Sequence, residues 1–122
     1  MSIKVFDQTF EALSRTIDLR TQNQTVIASN IANADTPGYQ AKELDFEKAM
    51  GRALESGSGA EDVSGEVQNQ VNNVVREDGN TVDRDAEMTA LFENQLLFNA
   101  AADLAKKKLG MLKYAISDGG SH

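Results

Sequence analysis

Apolar residues recur at alternating intervals of four and three along two long stretches of the chain, one towards each end, and the pattern dissolves between them. In the first stretch Phe6, Phe10, Leu13, Ile17, Ile27, Ile31 and Ala34 form a ladder, with Arg20 and Gln24 on its two intervening rungs. This spacing lines one side of an α-helix, as in a coiled-coil seam. The predicted helix runs from about Phe6 to Asn33, a length of about 40 Å at 1.5 Å per residue. Polar side chains at seam positions weaken a coiled coil but can fix its register and its partner. Arg20 and Gln24 therefore either select a partner helix or form a polar patch facing water on a bent helix.

The second ladder comprises Met88, Leu91, Gln95, Phe98, Ala102, Ala105, Leu109, Leu112 and Ile116, and Leu97, Leu104 and Met111 form a second apolar row beside it. Its helix is expected to start after Gly79, with Asn80 or Thr81 as cap. Asp83, Asp85 and Glu87 follow, where negative charge meets the positive end of the helix dipole. Two adjacent stripes suit a helix that packs on its partner and also on a neighbouring subunit; a wider core face in a small bundle is the alternative. Gly110 costs about 1 kcal/mol relative to alanine inside a helix. It marks either a close approach of another backbone or fraying towards the tail from Ser117 to His122, which is expected to be disordered.

Between the ladders the local signals are turns. Pro37 disfavours helical geometry at Thr36, Asn33 can supply a left-handed cap, and Thr36-Pro37-Gly38-Tyr39 fits a type II turn. Asp45 is a candidate cap for a short helix lined by Phe46, Met50 and Leu54. From Glu55 to Asn80 the chain is acidic and punctuated by Gly57, Gly59, Gly65 and Gly79. Its apolar content is Val63, Val67, Val71, Val74 and Val75. So few valines offset little of the roughly 1 to 2 kcal/mol per residue needed to order a backbone. The segment is expected to be mobile in the free chain, with a short strand or hairpin on assembly left open by the valines. The expected architecture is mostly α and elongated. The N- and C-terminal helices pair as an antiparallel coiled coil around a flexible central segment, and residues 1–54, 55–80 and 81–122 form its three parts.

Charge and candidate chemistry narrow the function further. Nineteen acidic residues against 12 basic ones give a formal charge of -7. That argues against a nucleic-acid partner, which needs clustered Lys and Arg. The basic run Lys106, Lys107 and Lys108 reads as a solvated face near a helix C-terminus. Cysteine is absent, so disulfides and thiolate chemistry are excluded. No segment approaches the roughly 20 apolar residues of a membrane span, and Met1 to Phe10 lacks the features of a cleavable signal peptide. The one histidine is His122, which excludes histidine-based triads and multi-histidine metal sites. Glu43, Asp45 and Glu47, like Asp83, Asp85 and Glu87, alternate along helix starts and read as solvated acids. No phosphate-binding glycine motif occurs. The expectation is a non-enzyme with no catalytic residue, cofactor or metal.

The amides of Asn23, Asn30 and Asn33 lie beside the apolar seam, and each can donate and accept hydrogen bonds. On the residues alone, either Asn33 caps the helix and Asn30 faces water, or the pair positions the turn and an intersubunit contact. Asn30-Ile31-Ala32-Asn33 followed by Thr36-Pro37-Gly38-Tyr39 resembles the N-terminal signature of the flagellar axial family of rod, hook and hook-associated proteins. Leu44-Asp45-Phe46, Asn80-Thr81-Val82-Asp83 and Glu87-Met88 narrow the resemblance to its proximal rod members.

The resemblance covers roughly residues 8 to 50 and 78 to 116, and it favours the positioning role for Asn30 and Asn33. It implies a structural subunit of the basal-body rod, with Phe10, Leu13, Ile17, Ile27, Met88, Leu91, Phe98, Leu109 and Leu112 in the seam and subunit contacts. It also implies export by the flagellar type III apparatus to the periplasmic side of the inner membrane. The implied partners are itself, other rod subunits, the basal-body protein FliE and the MS ring. A helical adaptor or chaperone of a secretion system would share the helices and the acidity, but has no evident use for the Thr-Pro-Gly-Tyr turn.

Overall fold

In a computed structural model, which describes residues 3–55 and 65–120, the two ladders are two long helices. Helix α1 spans Ile3–Ala32, strand β1 Lys42–Leu44, helix α2 Phe46–Glu55, strand β2 Val67–Asn69 and helix α3 Arg84–Gly120. Helix α1 is the centre of the molecule. One side meets α3, and another carries α2 and strand β1, with which β2 pairs. The end of α1 packs beside the start of α3, where Ala34 and Val82 share a small cluster with Ala41 and Tyr39. The two long helices therefore run antiparallel, as expected.

The side of α1 that carries Leu19, Gln22, Val26 and Asn30 is buried without belonging to the predicted seam. Leu19 packs with Leu44, Ala49, Phe46 and Met50, so α2 and β1 cover a second face of the helix. Asp45 caps α2 through its carboxylate, which accepts the Lys48 amide at 3.1 Å, and this matches the sequence reading. The side chains of Phe6 and Leu54, together with Val63 and His122, lie outside the described residues.

Between Gly65 and Asn80 the chain forms the short strand that the sequence left open, and residues 56–64 of the segment expected to be mobile lie outside the described residues. Strand β2 pairs antiparallel with β1, Val67 opposite Leu44 and Asn69 opposite Lys42. Its valines are not the reason, since Val71, Val74 and Val75 are 73%, 85% and 63% exposed. Hydrogen bonds hold the segment. Gln22 on α1 accepts the Gly65 amide at 2.8 Å and donates to the Gly65 carbonyl at 2.9 Å. Gln70 donates from its backbone to Ala41 at 2.8 Å and from its side chain to Glu87 at 2.8 Å.

Helix α3 departs from the sequence reading at both ends. Its cap is Asp83, whose carboxylate accepts the amides of Asp85 at 3.1 Å and Ala86 at 3.2 Å, in place of Asn80 or Thr81. Both of those residues bond the turn that follows α1 and are unavailable as caps. The helix also continues through Gly110, where an added Cβ would meet nothing within 4 Å, and through Ser117 to Gly120. Asp83→Ala is expected to lower stability by about 1 kcal/mol, the usual effect of losing an N-cap acceptor. Urea denaturation followed by circular dichroism reads this directly, and an unchanged midpoint would remove Asp83 from the cap.

Candidate functional site

Among the described residues few large apolar side chains are enclosed, and three of the four largest fully buried side chains are asparagines: Asn30, Asn80 and Asn94 stand with Leu19. A buried amide left unbonded costs free energy, so each of these marks a place where the fold depends on a specific partner. Two of them build the turn after α1.

The peptide amide of Tyr39 donates to the Thr36 carbonyl at 3.2 Å, closing the Thr36-Pro37-Gly38-Tyr39 turn, and Gly38 has φ 75°. That is the type II geometry expected, with glycine at the position that needs positive φ. Asn33 does not adopt the left-handed cap. Its side chain donates back to the Ser29 carbonyl at 2.8 Å and accepts the Thr36 hydroxyl at 3.1 Å, so it links the last turn of α1 to the corner by hydrogen bonds. Asn30 is wholly buried. Its amide oxygen accepts the Lys42 N–H at 2.9 Å and its NH₂ donates to the Lys42 carbonyl at 2.7 Å, while the Tyr39 hydroxyl donates to the same oxygen at 3.2 Å. Asn30 thus occupies the place of a neighbouring strand on the outer edge of β1.

The corner rests on the segment that leads into α3. The Gly38 amide donates to the Asp78 carbonyl at 2.8 Å, and the Thr81 amide donates to the Tyr39 carbonyl at 3.0 Å. The Asn80 NH₂ donates to the carbonyls of Asn33 at 2.9 Å and Thr36 at 2.8 Å, and its oxygen accepts the Val82 amide at 2.7 Å. Arg76 donates to the Ala34 carbonyl, and Arg84 pairs with Asp35 across the surface. Gly79, at φ 81°, lies so close that a Cβ there would sit 3.3 Å from the Gly38 Cα. Two glycine corners, far apart in sequence, lie back to back.

The polar rungs of α1 find a partner in α3. Asn94 is 2% exposed. It donates to the Arg20 carbonyl at 2.9 Å and to the Gln24 side chain at 2.8 Å, and it accepts from Asn23 at 2.9 Å and from Arg20 at 3.3 Å. The Arg20 guanidinium also lies 3.9 Å from the centroid of the Phe46 ring. Burial lowers the Arg20 pKa and Glu93 opposes the shift; a guanidinium stays charged throughout the physiological range.

Of the predicted seam, Ile27 is buried, while Phe10, Leu13, Ile17, Ile31, Leu91, Phe98 and Leu112 are half-buried. Met88 and Leu109 are 40% and 50% exposed. Helix α3 is rolled so that Glu87, Asn94, Ala101 and Lys108 stand where Met88, Gln95, Ala102 and Leu109 were expected. Glu87, expected to be a solvated acid, is 3% exposed and accepts the Gln70 amide; Glu43 accepts from Gln68 at 3.1 Å. The sequence reading missed Gln22, Gly79 and Asn94 as structural residues. The signal for Asn94 was present: a short polar residue framed by Leu91 and Phe98 at seam spacing. For Gln22 nothing distinguishes it from the other polar residues of α1.

Among the described residues, no cluster of His, Cys, Asp or Glu could hold a metal ion, and no helix is long and apolar enough to cross a membrane. What the fold elaborates is a long helical pair whose corner is bonded to the far end of the chain, with apolar side chains left on the outside of α3. These are the features of a helical building block. The family described as flagella basal body rod protein matches residues 11–40, the stretch from α1 through the glycine turn. The flagellar basal body rod protein FlgB of Escherichia coli (strain K12) is 36% identical over 101 residues, which cover 67% of this chain and 73% of that protein. The FlgB of Salmonella typhimurium is 36% identical over 116 residues, covering 79% and 84%. That of Borrelia hermsii is 28% identical over 117 residues, covering 80% and 87%. The chain belongs to the FlgB family of flagellar basal body rod proteins, and it is a structural component of that rod.

Proposed function

We propose that the chain is a subunit of the proximal rod, which polymerises with copies of itself and with other rod subunits, links the MS ring to the rest of the rod and transmits torque for motility. The observation that supports this reading is the outer surface of α3. Phe92 and Leu96 are 69% and 68% exposed, Met111 and Ile116 each 66%, and Leu104 and Leu109 51% and 50%. Large apolar side chains in such number along one helix are a contact surface awaiting partners. They line faces that α1 leaves uncovered, so one helix serves the internal pair and the neighbouring subunits together. FliE, the MS ring and the flagellar export apparatus are the further partners of this reading, with delivery to the periplasmic side by that apparatus.

Leu109→Asp separates the two uses of α3. The site is half-exposed, so the isolated chain should keep its helicity and lose no more than about 0.5 kcal/mol of stability, as surface substitutions do. In cells, the variant is expected to accumulate but to be missing from purified basal bodies, as probed by immunogold labelling. A strain lacking the gene should make no filaments and be non-motile, and the wild-type gene should restore both. Normal filaments in the deletion strain would end the rod reading; normal incorporation of Leu109→Asp would end only the assignment of this face.

A further inference from the structure

Helix α3 carries apolar residues on more sides than α1 can cover, and the side it turns inward is not its most apolar. The inner seam combines Leu91, Phe98, Ala105 and Leu112 with the row Glu87, Asn94, Ala101 and Lys108. A roll of about 50°, half the angle of about 100° between successive residues of an α-helix, would exchange that row for Met88, Gln95, Ala102, Leu109 and Ile116. Burial of apolar surface favours the rolled setting. It would enclose Met88, Leu109 and Ile116, now 40%, 50% and 66% exposed, in exchange for a row containing a carboxylate, an amide and an ammonium group.

What opposes the roll is a set of directional bonds. Asn94 uses two donor and two acceptor positions at once, on Arg20, Asn23 and Gln24. Arg20 is itself held against Phe46, so the cluster is tied to α2 as well as to α1. Gln95, the residue that would replace Asn94, is exposed and donates to Asn99 on its own helix at 3.1 Å. We propose that Asn94 is the specificity-determining residue of the helical pair: through Arg20, Asn23 and Gln24 it sets the roll of α3 and so keeps the Met88, Leu109 and Ile116 row on the outside. A single polar residue in an apolar seam fixes register at some loss of stability. Here it fixes which face of a multiply apolar helix is left free. Glu87, bonded to Gln70 one turn from the helix start, acts in the same direction.

The chain contains no cysteine, so single reporter thiols can be placed without background. Ala101 is 6% exposed and Leu109 50%. In the otherwise unchanged protein, the thiol of Leu109→Cys should react with an aromatic disulfide reagent at least about 10-fold faster than that of Ala101→Cys, following access to the thiolate. Two backgrounds then test the roll. The first removes the cluster with Arg20→Leu, Gln24→Leu and Asn94→Ala, which adds no large apolar side chain to the present inner row. The second moves the amide one place along the helix with Asn94→Ala and Gln95→Asn. Inversion of the reactivity ratio in either background, with helical circular dichroism retained, supports the proposal. Inversion in neither overturns it, whether the ratio stays as it was or helicity is lost, because the proposal requires the rolled seam to be a competent alternative. The measurement reads the isolated chain, so its failure leaves the rod reading untouched.

Discussion

Asn30→Leu is expected to destabilise the isolated chain by about 1 to 3 kcal/mol, the usual cost of a stranded buried group, because it leaves the Lys42 N–H without its acceptor, while the Lys42 carbonyl keeps the Gln70 side chain at 3.2 Å. Leucine keeps the branched skeleton of asparagine and is the larger of the two, so the substitution opens no cavity and the loss does not report one. The site has no exposure to water that could take over the bonds. The Tyr39 hydroxyl loses one partner but still has Ser29 at 3.5 Å, so the effect should concentrate on the start of β1. Urea denaturation gives the global figure, and amide hydrogen exchange should show faster exchange at Lys42. A loss below about 1 kcal/mol, the net value of one ordinary hydrogen bond, would mean that the amide does not act as the missing strand.

Gly38→Val should cost the monomer a similar amount and the flagellum more. Gly38 has φ 75°, and a Cβ there would meet nothing within 4 Å, so the penalty is purely one of backbone conformation. For a branched residue that penalty is about 1 to 3 kcal/mol. The chain can escape it by opening the corner, at the expense of the Gly38–Asp78 and Thr81–Tyr39 bonds that join the corner to the start of α3. The protein should remain soluble and largely helical. In a polymer, by contrast, the altered corner recurs in every subunit and opposes every contact made beside it. A strain carrying Gly38→Val is therefore expected to retain the protein yet build few rods and be non-motile. Gly38→Asn should recover much of the motility, since asparagine tolerates left-handed backbone and space is available. Equal failure of both variants would show that something other than conformation is being lost at this position; normal motility of Gly38→Val would end the turn's role in assembly.

What the sequence determined by itself is local. Proline presets one torsion of the turn, glycine supplies the next, and the bond from Tyr39 to Thr36 closes within four residues, so the corner was legible in Thr36-Pro37-Gly38-Tyr39. The two long helices follow from apolar periodicity, and the cap of α2 follows from Asp45 standing just before Phe46. The tertiary structure decided the rest, because the deciding bonds join residues far apart in the chain. Asn30 meets Lys42, Gln22 meets Gly65, Asn80 meets Asn33 and Thr36, and Asn94 meets Arg20, Asn23 and Gln24. Periodicity counts apolar residues and favoured the Met88 and Leu109 row as the inner seam. Bonds to Gln70 and to α1 turned Glu87 and Asn94 inward in its place, since a bonded polar group is stable inside and an unbonded one is not. The path of residues 65 to 80 was hidden for the same reason: an amide side chain is equally at home in water and in a protein core, and nothing in its own sequence neighbourhood states which carbonyl it will find.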